Sequence, residues 1–175
     1  YLRQRSVGGS ELWRMSSSGK EQDGQAIITG VRGSAYSLNL NGDTVLLTLA
    51  ARSSIDDHDQ VALVQVHTNN VKRIGAGRIS KYAWHPSSRY FVVNQAPPVE
   101  GEGFSSIETA ASMSTLQLVA IHAVDTDRRV VITDIQNGIK ASYAVSPDGQ
   151  YVSAIAQGAS TPSMLILNWS ALGLD

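Results

Sequence analysis

Three stretches decide the fold: Tyr36-Ser37-Leu38-Asn39-Leu40-Asn41-Gly42-Asp43-Thr44-Val45-Leu46-Leu47, Tyr82-Ala83-Trp84-His85-Pro86-Ser87-Ser88-Arg89-Tyr90-Phe91-Val92-Val93, and Tyr143-Ala144-Val145-Ser146-Pro147-Asp148-Gly149-Gln150-Tyr151-Val152-Ser153-Ala154. They align without gaps, and each predicts a strand, a turn and a second strand. Asn41-Gly42, Ser87-Ser88 and Asp148-Gly149 fall in the same columns, and Asn-Gly and Asp-Gly accept the positive φ that a tight hairpin needs. Leu38, Trp84 and Val145 share an apolar column, which predicts that Trp84 is buried between blades.

Each hairpin is followed by more β-like sequence. Gln60–His67 and Val71–Ile74 follow the first, Leu116–His122 and Arg129–Ile132 the second, and Ser163–Trp169 the third; Glu11–Met15 and Gln25–Thr29 precede the first. Four strands in roughly 40–45 residues is the period of a propeller blade. The predicted fold is all-β: a partial β-propeller of about three four-stranded antiparallel blades plus an extra half blade. Residues 11–30 form the half blade, 31–77 a blade, 78–135 a blade with an insertion at 95–114, and 136–175 an incomplete blade, together one segment over residues 1–175. The insertion, rich in Gly, Pro, Ser and Ala without strand alternation, reads as a loop. A β-sandwich also has many short strands, but it does not require one hairpin sequence three times.

Ser146-Pro147-Asp148-Gly149, followed by Gln150-Tyr151-Val152, resembles the hairpin of TolB-type propeller repeats. Trp84-His85-Pro86 keeps the Trp and Pro of that pattern, and Leu38–Asp43 keeps only the turn. The resemblance spans roughly residues 11–169 and implies blades. It extends to TolB, to the non-catalytic propellers of prolyl-oligopeptidase-type peptidases and to extracytoplasmic binding modules. The hairpin recurs in propellers with many roles, so the resemblance implies a blade and no particular function. The residues do not set the compartment, and a periplasmic or extracytoplasmic setting is the expectation that goes with these families.

Composition narrows the classes. The chain has 175 residues, net charge −1 and no cysteine, which excludes a disulfide scaffold, cysteine-zinc sites and thiol chemistry. Near-neutral charge argues against nucleic acid as a partner, and no apolar run is long enough to span a membrane as a helix. The first residue is Tyr1 and no signal-peptide pattern follows, the expectation for a processed or trimmed product. The strands describe an arc whose open edges need covering, either by further blades of the same polypeptide or by a protein partner.

In an up-and-down blade the hairpins above share one end, and the longer connections, with the links between blades, share the other. Loops carry function more often than strands. In those links Arg32, Arg78 and Lys140 recur just before the three hairpins. Convergent cations would receive a carboxylate, phosphate or acidic segment; the plainer reading is solvated surface charge repeated by duplication.

Asp56-Asp57-His58-Asp59 has donors for a divalent cation, but its spacing matches no EF-hand or zinc pattern, so a solvated loop is the better reading and no metal is assigned. His67 and His122 end similar third strands and read as structural. No Gly-x-Ser-x-Gly and no phosphate-binding glycine loop is present, so no catalytic residue and no cofactor is expected. The expected function is a non-catalytic module for protein–protein interaction or assembly, acting through the loop-rich end. The alternative is the regulatory propeller of a larger hydrolase or peptidase.

Overall fold

A computed structural model describes residues 2–4, 10–15, 24–50, 60–79, 83–95, 115–136, 141–157 and 162–174. β1 (Leu2–Gln4), β2 (Ser10–Arg14), β3 (Gln25–Leu38), β4 (Thr44–Leu49), β5 (Gln60–Gln65), β6 (Asn70–Arg78), β7 (Tyr90–Gln95), β8 (Thr115–His122) and β9 (Arg129–Gln136) pair in sequence order. β10 (Ala141–Val145), β11 (Tyr151–Gln157) and β12 (Pro162–Asn168) form a separate sheet. All pairs are antiparallel, and no α-helix occurs among the described residues. β-Branched and aromatic residues explain the strands, which β7 (Tyr-Phe-Val-Val-Asn-Gln) shows most clearly, being buried along its whole length.

The three hairpins repeat in register as well as in sequence. Leu38 pairs with Val45, Trp84 with Phe91 and Val145 with Val152. On the following strands Leu46 pairs with Leu63, Val92 with Ala120 and Ser153 with Ile166. The amides of Val66, Ala123 and Trp169 donate to the carbonyls of Asp43, Arg89 and Gln150 at 2.8, 2.8 and 2.7 Å. The three units therefore share one frame.

Successive units bury opposite faces. Leu12, Val31, Val45, Leu47, Leu49, Ala62 and Val64 form one apolar cluster, between the β1–β2 region and the back of the first repeat. Leu46, Val61, Leu63 and Ile74, on the front of that repeat, join Trp84, Phe91 and Val93 of the second and Tyr143, Val145, Val152 and Trp169 of the third in the larger cluster. Val92, Val119 and Ile121 belong to the same cluster.

Several expectations need correction. Gly30–Arg32 and Gly75–Arg78 are not loops between units but parts of β3 and β6. A register shift between Val31 and Tyr36, beside Gly30 at φ 74°, turns β3 from one pairing partner to the next. β1 adds a strand that was not anticipated. Gln95 belongs to β7, and its side-chain amide donates to the Ile74 carbonyl, so the insertion starts after it; residues 96–114 lie outside those described. Trp169 does not end a strand. It opens a 3-10 turn over Trp169–Leu172, capped by the Asn168 side chain, which accepts from Ser170 N, and by Gly173 at φ 64°.

Trp84 is buried as expected and so is Val145, whereas Leu38 in the same column is 49% exposed. The column is apolar in each copy, but its burial depends on a preceding inner strand. The second repeat finds the first there, and the third finds the second. In the first repeat Leu38 stays about half exposed and its neighbour Tyr36 is exposed as well.

Candidate functional site

The hairpin end is built from matched turns. The amides of Gly42, Ser88 and Gly149 donate to the carbonyls of Asn39, His85 and Ser146 at 3.1, 2.9 and 2.9 Å. Gly42, Ser88 and Gly149 take φ of 75°, 58° and 73°. Only the second residue of each predicted turn pair is left-handed, so each turn is a four-residue bend closed by one left-handed residue. Ser88 bears that conformation without being glycine, and its hydroxyl accepts from Leu40 N of the first hairpin at 3.1 Å. The lost glycine is thereby explained: its position carries a bond between units.

Two more bonds join neighbouring units. Trp84 Nε1 donates to the buried Ser37 carbonyl at 2.9 Å. His85 Nε2 lies 3.0 Å from the Gly149 carbonyl, which only accepts, so Nε2 carries the proton while Nδ1 accepts from Ser87 N at 3.1 Å. The fit leaves no room at Gly149, where an added Cβ would stand 2.6 Å from His85 Nε2. His85 also packs on the Trp169 ring with centroids 4.5 Å apart, and Tyr90 meets Trp169 edge-on at 5.9 Å. A groove of about 450 Å³ runs above this joint, bordered by Ser87, Arg89, Asp148, Gln150 and Ser170.

Two turn carboxylates are held below the ordinary value. Asp43 is lowered first by the Asn39 side-chain amide at 2.7 Å and then by the Thr44 hydroxyl at 2.8 Å. Asp148 is lowered by the Ser146 hydroxyl at 2.6 Å and then by Gln150 N at 3.0 Å. The stability they contribute is present above 3.8, the ordinary value, and is lost as pH falls below it through the depressed folded values. Thermal melts across that range should show the wild-type protein losing stability more steeply than an Asp43→Asn, Asp148→Asn double variant. Parallel curves would show that these turns do not favour the charged carboxylate.

The other end of the sheets takes the long connections. β4 ends at Leu49 and β5 starts at Gln60; β7 ends at Gln95 and β8 starts at Thr115. Arg32 on β3 and Arg78 on β6 stand at that end, where Val31 pairs with Leu49 and Arg78 with Asn94. Arg32 is exposed. Lys140 lies outside the described residues, as do Asp56, Asp57, His58 and Asp59. Among the described residues no group of three or more acidic or histidine side chains is placed to hold a metal ion, and no helix is long and apolar enough to cross a membrane.

The two third-strand histidines are not equivalent. The matched amides of Val66 and Ala123 set His122 opposite Gln65 in the frame, not opposite His67. His122 meets the Tyr90 ring edge-on at 5.1 Å and accepts from Asp125 N at 3.0 Å. Sequence reading missed the His85–Gly149–Trp169 joint altogether. The one signal for it was His85 in the turn column otherwise held by Asn39 and Ser146, two residues whose side chains cap turns.

No protein-family model matches the chain, and no curated protein matches it. Among solved structures it is similar to a prolyl endopeptidase, from a study of inter-domain dynamics in catalysis and specificity. That match has TM-score 0.65 and 15% identity and covers 96% of this chain and 26% of that one. The fold is a partial β-propeller. The chain is also similar to TolB from Acinetobacter baumannii, with TM-score 0.39 and 17% identity over 91% of this chain and 46% of that one. For the acylaminoacyl peptidase of Pyrococcus horikoshii the values are 0.45, 11%, 91% and 30%. The chain thus spans about a quarter of the endopeptidase and less than half of the others.

Proposed function

We propose that this propeller segment is a non-catalytic module for protein–protein interaction or assembly that binds another protein through the end carrying its long connections. One observation carries the reading. The hairpin end is closed by bonds from unit to unit, at Leu40–Ser88 and His85–Gly149, whereas the strand ends opposite feed connections of varied length. A rigid frame with variable loops at one end is the usual arrangement of a recognition surface. Arg32, Arg78 and Lys140 are its proposed cationic contacts, and an extracytoplasmic setting goes with this role. Residues 31–77, 78–135 and 136–175 act as its blades.

Cross-linking through lysine in the native source, followed by peptide mapping, tests it. Links to partner peptides are expected at Lys81 and Lys140, and not at Lys72 near the hairpin end. Changing Arg32, Arg78 and Lys140 together to Ala should slow association and flatten its salt dependence, with little change in melting. Links concentrated at Lys72, or an unchanged rate at low and physiological salt, would overturn the reading.

The likeness to a prolyl endopeptidase over 26% of its length favours a second reading, the regulatory propeller of a larger hydrolase. The intact mass in the native source separates the two. A polypeptide carrying an added Gly-x-Ser-x-Gly domain supports the second, and a mass near 18.7 kDa removes it.

A further inference from the structure

On the reading of the chain as a propeller module, we propose that the front of its third sheet, around Met164 and Ile166, seats the apolar back of a further propeller-type blade. The repeated register shows what this face is for. Thr48–Val61, Asn94–Leu118 and Ile155–Met164 are equivalent cross-strand pairs, as are Leu46–Leu63, Val92–Ala120 and Ser153–Ile166. In the first two repeats the third-strand members are covered: Val61, Leu63, Leu118 and Ala120 are all buried. In the third they are bare, with Met164 64% and Ile166 58% exposed and Ile155 and Tyr151 beside them also exposed.

What covers the equivalent face is known twice over. Leu46, Val61 and Leu63 share a cluster with Trp84 and Phe91 on the back of the second repeat, and Trp84 reaches across to the Ser37 carbonyl. Tyr90, on the same face as Val92, is covered by Trp169 of the third repeat. The back of such a repeat is an antiparallel apolar sheet face with one bulky residue on its innermost strand. The bare face of the third sheet has the matching chemistry. Its described side chains, Ser142, Ala144, Tyr151, Ser153, Ile155, Met164, Ile166 and Asn168, carry no charge to desolvate. Burial of such a face is favourable in proportion to its apolar area. A second copy of this chain is a poorer occupant. The back of its first repeat is already covered by Leu12 and its neighbours, with Tyr36 and Leu38 the exposed large apolar side chains on its first strand among the described residues.

The test appends a duplicate of residues 79–136 to the full chain through a short Gly-Ser linker and follows peroxide oxidation of Met164 by peptide mass. Thioether oxidation follows exposure. In the unextended chain Met164 oxidises readily; in the extended chain that oxidation is lost and the added repeat resists protease. Ile166→Lys restores both oxidation and cleavage in the extended chain, while in the unextended chain it melts as wild type because the side chain is already in water. Equal oxidation with and without the added repeat overturns the proposal. Protection that grows with concentration in the unextended chain also overturns it, in favour of a second copy. The added repeat carries its own copy of Lys81 but none of Lys140, so cross-links at Lys140, and at Lys81 in the unextended chain, report on the module reading independently of this result.

Discussion

Trp84→Ala lowers the free energy of unfolding by about 3–5 kcal/mol, the range for removing a large buried aromatic side chain. Three losses combine. The indole is buried where the first and second repeats meet. It packs edge-on against Phe91 with centroids 5.3 Å apart, and it supplies a donor to the Ser37 carbonyl at 2.9 Å. The cavity opens between units and not inside one sheet, so local repacking cannot close it without moving a whole repeat. Urea melts of the two proteins measure the effect. Trp84→Phe separates its parts by keeping a ring and removing the donor, for a smaller loss of about 1 kcal/mol. A Trp84→Ala loss under about 1 kcal/mol would remove the residue from the core and with it the interlocking of the first two repeats.

Trp169→Ala has an effect of the same order, about 3–5 kcal/mol, although the residue stands six positions before Asp175. Its ring is buried against His85 and Tyr90 of the second repeat, and its amide donates to Gln150. The third repeat would loosen first, since Trp169 is one of its anchors in the shared cluster. A double-mutant cycle with His85→Ala isolates the ring contact, with an expected coupling of about 0.5–1.5 kcal/mol. Strict additivity would mean that His85 acts only through its bond to Gly149. Melts followed by both tryptophan fluorescence and far-UV circular dichroism would show whether the third sheet parts from the rest before global unfolding.

The two tryptophans differ in how far they could be read in advance. Trp84 sits inside a repeated hairpin, and its burial follows from a column that also holds Leu38 and Val145. Trp169 closes the last strand-like stretch, Ser163–Trp169, and after Leu165-Ile166-Leu167 it looks like one more strand position. Its turn is set by the Asn168 side chain accepting from Ser170 N and by left-handed Gly173. Those are cap signals, but they sit too close to a strand to override its alternation. The candidate site divides in the same way. The turn columns were legible, whereas the bonds from Ser88 to Leu40 and from His85 to Gly149 join residues 48 and 64 positions apart.

The repeat, the all-β class and the three turn positions were determined by the amino-acid sequence alone. They rest on local physics: alternation of side chains along a strand, and the low cost of left-handed φ at glycine. Which face of each sheet is covered was decided only by the tertiary structure. Leu38 and Trp84 share a column and differ in burial, as Ile166 and Leu63 do, because a strand has no means of specifying what lies across from it. Burial belongs to a pair of surfaces, and each sheet contributes one of the two.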